Sequence, residues 1–596
     1  MGTGNGRGDL HGAHAGRRAG LGPSTVAQPG NAQSSTAEQA LAALRRRCRY
    51  TLPGSWVALI FACLAFTPSL LPRPAVFQGA VTGIDAAIGY GLGVLGAWVW
   101  REFADRGPRP PARRSWQLFF AVGGVTLLVS LALGQWWQRQ AHELVDTTPE
   151  SPAAVLLIPL VATLLFVLLI ALARAVRTWY RRLSQLLARY MGARAARALG
   201  LVLLAALSVL LLSGVIWNTL ITAVDRSLAV GDTLTPNNVA VPTTDIRSGG
   251  PGSLIDWDTM GREGRVFVGR GPNANDIGEF TDQAAEDPIR IYSGFDSADD
   301  TEARADLAVR DLVRAGGFDR SALLVVTTTG TGWVEPSSVG AFEYLTGGDS
   351  AAISMQYSHL PSWLSFLVDQ ERAREAGRQL FDSIYEVWSQ LPREDRPRLY
   401  VFGESLGSFG GETAFSGEFD LRNRTDGALF VGPPNFNPLY RSFVDDRDPG
   451  SPEVVPVYRD GRTIRFTERP RNKIAPARQP WGTARVLYMQ HPSDPITWWS
   501  PNLILDRPDW LEEPRGSDVL DATRWIPFVT FWQVSADLAL GFSTEPGHGH
   551  NYTGEHVDGW AAVMQPEGWT AERAERLRNV AWSGAFRKPF AASFGG

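Results

Sequence analysis

Cysteine is nearly absent. The chain of 596 residues holds two, Cys48 and Cys63, both in its front half. The back half is therefore denied a disulfide framework and any cysteine-based metal site. Lysine is as scarce, with Lys473 and Lys588 alone, so arginine carries nearly all the positive charge. Histidine numbers eight, which makes each one in a loop informative. No glycine-rich phosphate loop stands out, no metal site is expected, and the acidic back half has no basic groove, which excludes nucleic acid as a partner. Residues 1–40 lack an apolar period and an apolar core of signal-peptide kind; a disordered cytoplasmic tail over 1–50 is expected, with no cleaved leader.

Charge and apolar residues are unevenly spread. Residues 1–224 hold 21 arginines against 8 carboxylates, whereas the remainder holds 36 basic and 53 acidic residues. The front half also carries five apolar runs near the ~20 residues needed to cross a bilayer: 56–71, 80–100, 116–137, 153–172 and 199–221. Tryptophans at several ends (Trp98, Trp100, Trp136, Trp137, Trp217) match an interfacial belt. A five-span domain over 51–224 is expected. Arginines cluster before the first run (Arg45, Arg46, Arg47, Arg49), between the second and third, and between the fourth and fifth. The intervening loops hold only Arg73 and Arg139. Positive charge stays inside, so the N-terminus is expected in the cytoplasm and everything after the fifth run outside. Asp85, inside the second run, is either a functional group or an acid reaching interfacial water.

Residues 225–263, rich in Thr, Pro, Gly, Ser and Asn, read as a tether. From 264 to 596 short apolar runs alternate with amphipathic ones. Strands are expected at Arg265–Val268, Ile289–Tyr292, Ala322–Thr328, Ala351–Tyr357, Leu399–Phe402, Ala428–Val431 and Arg485–Gln490. Helices are expected at Thr301–Ala315 and Asp369–Leu391. That alternation predicts a mostly parallel sheet with helices on both faces, and a ligand site beyond the carboxyl ends of the strands.

One stretch carries chemistry. The run Leu399–Phe402 ends in Gly403-Glu404-Ser405-Leu406-Gly407, a G-x-S-x-G spacing in which a serine sits on a tight strand-to-helix turn. A serine hydroxyl needs a base, and the base needs a group to fix its tautomer. Beyond the strand 485–490 lies His491-Pro492-Ser493-Asp494-Pro495, which places Asp494 on a turn just past a strand; the plain alternative is a surface Asx-turn. Further on comes Gly547-His548-Gly549-His550-Asn551-Tyr552. Both histidines are candidate bases, and the polar and aromatic residues after His550 favour it over His548. Two histidines at this spacing without a third ligand make zinc improbable. An oxyanion needs two aimed N–H groups: one from Leu406, the other from the Thr329-Gly330-Thr331-Gly332-Trp333 loop, with Thr331 or a neighbour as donor. His359 is read as lining the site or closing a turn, and Asp558 and His556 as capping or decorating the following helix.

Taken together these four motifs resemble the α/β-hydrolase superfamily and, more narrowly, an actinobacterial membrane-anchored α/β-hydrolase family with a multi-span N-terminal domain. The resemblance covers nearly the whole chain after the tail. It implies hydrolysis of an ester, thioester or amide, or acyl transfer, through an acyl-enzyme without a cofactor. The aromatic-rich insertion 495–545 (Trp498, Trp499, Trp510, Trp525, Phe528, Phe531, Trp532) is either an acyl-binding lid or a packed cap. An outward-facing, membrane-anchored serine hydrolase acting on a lipid or cell-envelope acyl ester is the leading expectation. An acyltransferase and a non-enzymatic envelope scaffold are the alternatives.

Overall fold

The computed structural model describes residues 2, 50–107, 110–212, 232–360, 364–365, 370–471, 473–474 and 478–587. The expected tail lies almost wholly outside the described residues.

Among the described residues five apolar helices come first: α1 (Leu52–Leu64), α2 (Ala75–Phe103), α3 (Arg113–Leu144), α4 (Leu157–Leu187) and α5 (Ala193–Leu212). Three segments among the described residues are long and apolar enough to cross a bilayer: α2, α3, and α4 with the short turn before it. The first expected span is a helix of 13 residues, shorter than a bilayer core requires. The last part of the fifth lies outside the described residues. Asp85 does not reach water. It is fully buried in α2, and neither carboxylate oxygen has a hydrogen-bond partner among the described residues.

The remainder is built on an eight-stranded sheet. Its strands are β1 (Ile289–Ser293), β2 (Ala322–Thr327), β3 (Ser350–Met355), β4 (Arg398–Glu404), β5 (Gly427–Val431), β6 (Ile464–Arg469), β7 (Lys473–Ile474) and β8 (Arg485–Met489). They lie in the order β1-β3-β2-β4-β5-β8-β6-β7, and only the β6–β7 pair is antiparallel. β1, β2, β3 and β5 are buried at every position, as strands covered on both faces must be. One set of helices, α6 (Thr301–Arg314), α8 (Gln370–Gln390) and α9 (Leu406–Glu412), packs together and on β1 to β4. Another, α7 (Pro336–Leu345) and α11 (Glu555–Met564), packs together, with α11 on β5 and β8. The run Arg265–Val268, expected as a strand, belongs to a short helix, Gly261–Gly269. Its apolar residues Phe267 and Val268 are adjacent, so alternation was a poor guide over four positions.

The expected tether is fastened down over its described part. Ser248 N–H donates to the Arg290 carbonyl, and the Ser248 hydroxyl donates to Asp311 at 2.7 Å. The insertion also has a definite role in packing. Leu70 and Leu71, in the loop between α1 and α2, are buried with Trp498, Leu503, Trp510, Leu511 and Val534. The Leu70 N–H donates to Asp537 on α10 (Val529–Leu538), and the Gln533 amide donates to the Thr67 carbonyl. Trp498 and Trp510 thus clasp the loop between α1 and α2.

Candidate active site

Four loops leave the carboxyl ends of β2, β4, β5 and β8, and all the chemistry gathers there. Ser405 follows β4 directly, with φ 55° and ψ −126°, a left-handed backbone that a non-glycine residue adopts only under constraint. The constraint is visible. A Cβ on Gly403 would stand 2.3 Å from the Gly407 carbonyl oxygen, and one on Gly407 would stand 2.4 Å from the Thr327 carbonyl oxygen. Only glycine fits at either place, and the second contact presses the serine turn against the end of β2. The Ser405 N–H donates to the Val431 carbonyl at 2.8 Å, which ties the turn to β5.

His550 lies beside that tie. A Cβ on Gly432, the residue after β5, would meet the His550 ring at 2.5 Å. His550 Nδ1 is 2.7 Å from Asp494 Oδ2, both side chains wholly buried. Asp494 also accepts from the Tyr552 hydroxyl at 2.8 Å and, through Oδ1, from the Ile496 N–H at 2.9 Å. The Thr497 hydroxyl is a fourth, longer donor to Oδ2 at 3.4 Å, and a carboxylate so held keeps Nδ1 protonated and turns Nε2 into the free acceptor of the ring. His550 Nε2 is buried and has no hydrogen-bond partner among the described residues. The exposed Phe542 stands edge-on to the same ring, with centroids 4.8 Å apart.

His548 is placed differently. Its Nδ1 is 3.0 Å from Asp518, and its Nε2 faces Asp146, just past the end of α3, at 3.7 Å. Asp518 also accepts from the Ser493 hydroxyl, which in turn accepts from the Gly549 N–H. This second His–Asp pair fixes the loop that carries His550.

Leu406 opens α9, so its N–H has no intrahelical acceptor. In the loop after β2 the Thr329 N–H donates to Trp333 and the Gly332 N–H to Thr329. The N–H groups of Gly330 and Thr331 are left without a protein acceptor among the described residues. Thr327 pairs with Gly403 across the sheet, so this loop and the serine turn are neighbours.

Two supports escaped the sequence reading. His556 is buried and bridges the limbs of the site. Its Nε2 donates to Glu404 at 2.7 Å, and its Nδ1 is 3.0 Å from the Ser337 hydroxyl, which donates to Glu335. With the Ser337 hydroxyl donating to Glu335, both ring nitrogens face acceptors, an arrangement that favours the imidazolium. Burial opposes that charge, but Glu404 and then Glu335 outweigh it and raise the pKa. Glu404 precedes the serine and Glu335 follows the Thr329–Trp333 loop, so His556 is a brace and not a helix decoration. Asp558, on the same helix, pairs with Arg578 at 2.6 Å.

His491 is the other support. It stacks on Tyr552 with centroids 3.9 Å apart, donates to Glu555 at 2.6 Å, and its Nδ1 lies 2.8 Å from the Gly549 carbonyl. Burial lowers its pKa, but the Glu555 carboxylate prevails and carries it from the ordinary 6.5 to about 9. A raised pKa stabilises the fold fully below 6.5, and that gain disappears as pH rises through 9. Glu555→Gln is expected to lower stability by roughly 3 kcal/mol at pH 6. Thermal unfolding across pH should show the gap to wild type closing above pH ~9.

Neither support belongs to a motif. His491 and His556 sit next to recognised elements, but their partners come from elsewhere in the chain. No group of three metal-ligating side chains occurs among the described residues.

The fold and these loops define the class: an α/β-hydrolase, with a multi-helix N-terminal domain. Two family models match the chain, one described as the alpha/beta-hydrolase family over residues 289–577 and one as that family's N-terminus over residues 66–272. The chain belongs to that alpha/beta-hydrolase family. No curated protein and no solved structure matches it.

Proposed function

We propose that the protein is a membrane-anchored serine hydrolase whose catalytic domain faces outward and cleaves an acyl ester of a lipid or another envelope component. One observation carries the reading. A serine on a positive-φ turn is tied to the end of β5, and the residue after that strand faces the ring of a buried histidine whose Nδ1 is taken by a buried aspartate and whose Nε2 has no partner among the described residues.

In this reading the Ser405 hydroxyl attacks the ester carbonyl and gives its proton to His550 Nε2. The oxyanion is received by the N–H groups of Leu406 and of Thr331 or its neighbour Gly330. Collapse breaks the carbonyl–oxygen bond, and His550 returns the proton to the leaving alkoxide. Water then attacks the acyl-serine, giving a proton to His550; collapse breaks the acyl–Oγ bond, His550 returns that proton to Ser405 Oγ, and the carboxylic acid leaves. Asp494 holds the imidazole's tautomer and stabilises its charge.

Orientation is supported by which helix ends touch the catalytic domain. Thr67, Leu70 and Val145 pack or bond there, and the nearby arginines are Arg73 and Arg139. The opposite ends carry Arg101, Arg106, Arg113, Arg114, Arg174 and Arg177, as cytoplasmic ends do. A lipid substrate is supported by a cleft of about 560 Å³ between Trp136, Trp137 and Gln140 of α3 and the loop Gly516–Ala522. That loop contains Asp518, the partner of His548.

The test compares membranes of cells carrying wild type or Ser405→Ala by lipid mass spectrometry, with purified protein given the accumulating lipid in ¹⁸O water. Hydrolysis predicts accumulation of an acylated lipid in the variant and one ¹⁸O atom in the acid released by wild type. Identical lipid profiles would remove the substrate assignment, and label-free transfer to an added alcohol would make the protein an acyltransferase.

A further inference from the structure

Asp232 is the first described residue after the last apolar helix, and it lands in the catalytic domain beside the loop that follows β2. Its Oδ1 accepts the Arg262 N–H at 2.8 Å, and its backbone carbonyl accepts from the Arg265 guanidinium at 2.6 Å. Its Oδ2 accepts from the Gln356 amide at 3.0 Å and lies 3.1 Å from His359 Nδ1. Gln356 is buried just past β3, and the same Nε2 reaches the Thr331 carbonyl at 3.2 Å and the Ser358 carbonyl at 3.0 Å. Its Oε1 accepts the Phe295 N–H. His359 packs against the Phe295 ring with centroids 4.7 Å apart.

These contacts account for the conformation of the Thr329–Trp333 loop. Thr329 and Gly332 close the turn on themselves, Tyr292 donates to the Gly332 carbonyl at 2.7 Å, and Gln356 holds the Thr331 carbonyl. The Thr331 carbonyl shares its peptide plane with the Gly332 N–H, and that N–H in turn holds the Thr329 carbonyl, whose plane carries the Gly330 N–H; the turn is fixed through this chain of bonds, and the Gly330 and Thr331 N–H groups are left over. A Gln amide has two N–H bonds and faces three acceptors here. The aspartate, a charged acceptor, decides how the amide is turned. Asp232 therefore acts on the loop at one remove, through Gln356.

We infer that Asp232 is a positioning residue for the oxyanion site: by seating on Gln356 and His359, the segment arriving from the membrane domain sets the Thr331 loop in its reactive shape. The catalytic domain is then fully competent only with residues 232–263 docked. This inference rests on the serine-hydrolase reading of the site.

The experiment uses the full-length protein in nanodiscs, with p-nitrophenyl butyrate hydrolysis and the rate of inactivation by a fluorophosphonate as readouts. Loss of one oxyanion donor lowers kcat by about 10²- to 10³-fold where that has been isolated, and a displaced donor lowers it less. Asp232→Asn keeps an acceptor for the Arg262 N–H but turns an NH₂ toward Gln356 and His359. It should reduce kcat and the inactivation rate by about 10- to 100-fold, leave KM within about threefold, and leave the unfolding temperature close to wild type. A residue that merely held the fold would shift the unfolding temperature without separating kcat from KM. Gln356→Met removes the donor to Thr331 directly and should show the same split. The double variant should be no worse than the poorer single, because the two act in series. Should Asp232→Asn fail to fold, Gln356→Met alone decides. An active wild type with equally active Asp232→Asn or Gln356→Met overturns the inference. A wild type inert toward both reagents removes the serine-hydrolase reading beneath it.

Discussion

His550→Ala is expected to lower kcat for ester hydrolysis by at least about 10⁴-fold, while His548→Ala lowers it by less than about tenfold. The two histidines are two positions apart, with only Gly549 between them, so the contrast isolates geometry from sequence. His550 has Nδ1 on a buried carboxylate and Nε2 unbonded, which is the state a general base requires. His548 has Nδ1 on Asp518 and Nε2 toward Asp146. Its removal loosens the loop but takes no proton carrier away. Steady-state kinetics on p-nitrophenyl butyrate measures both. Equal losses in the two variants would mean that the loop, and not a particular imidazole, governs the rate.

Asp494→Asn is expected to lower kcat by about 10⁴-fold with little change in unfolding temperature. The amide keeps the shape of the side chain but presents a donor where His550 Nδ1 now gives its proton. The ring would answer by moving its proton to Nε2, and the base would be lost. Tyr552 sharpens this expectation. Its hydroxyl and His550 both hold Asp494 Oδ2 while the Ile496 N–H holds Oδ1, so the variant's NH₂ faces a donor whichever way the amide turns. Tyr552→Phe removes only one of the hydrogen bonds at Asp494 and should lower kcat by far less.

How much of this was legible beforehand follows from locality. The serine turn, the Asp494 turn and the Gly547–Tyr552 loop each announce themselves within six residues, because sharp turns beside strands restrict which residues fit. Six of the seven strands expected from apolar runs form. β6 was missed because Arg465, Thr467 and Arg469 interrupt its apolar residues, and its partner β7 has two residues. What the pattern could not supply was pairing at a distance. Asp518 with His548, Glu404 with His556 and Asp232 with Gln356 are separated by 30, 152 and 124 positions. None lies in a repeated spacing. The clasp of Leu70 and Leu71 by Trp498 and Trp510 is of the same kind: a tryptophan run reads alike whether it lines an acyl pocket or buries a neighbouring loop.

The clasp also gives the two halves of the chain a common physical basis. The loop between α1 and α2 is buried in the insertion that separates Asp494 from His550 in the chain, so the N-terminal helices and that insertion share one packed layer. Asp537 accepts the Leu70 N–H from α10, and Gly541, three residues beyond that helix, accepts the His550 N–H at 2.8 Å. Deleting the membrane domain would expose this apolar layer next to the histidine loop.

The central claim is that Ser405 is the nucleophile. Peptide mapping by mass spectrometry of the full-length protein after reaction with a fluorophosphonate measures this directly. The account predicts a single phosphonylated peptide with the adduct on Ser405, and no adduct in Ser405→Ala. An adduct on another residue, or ester hydrolysis that persists in Ser405→Ala, would contradict it.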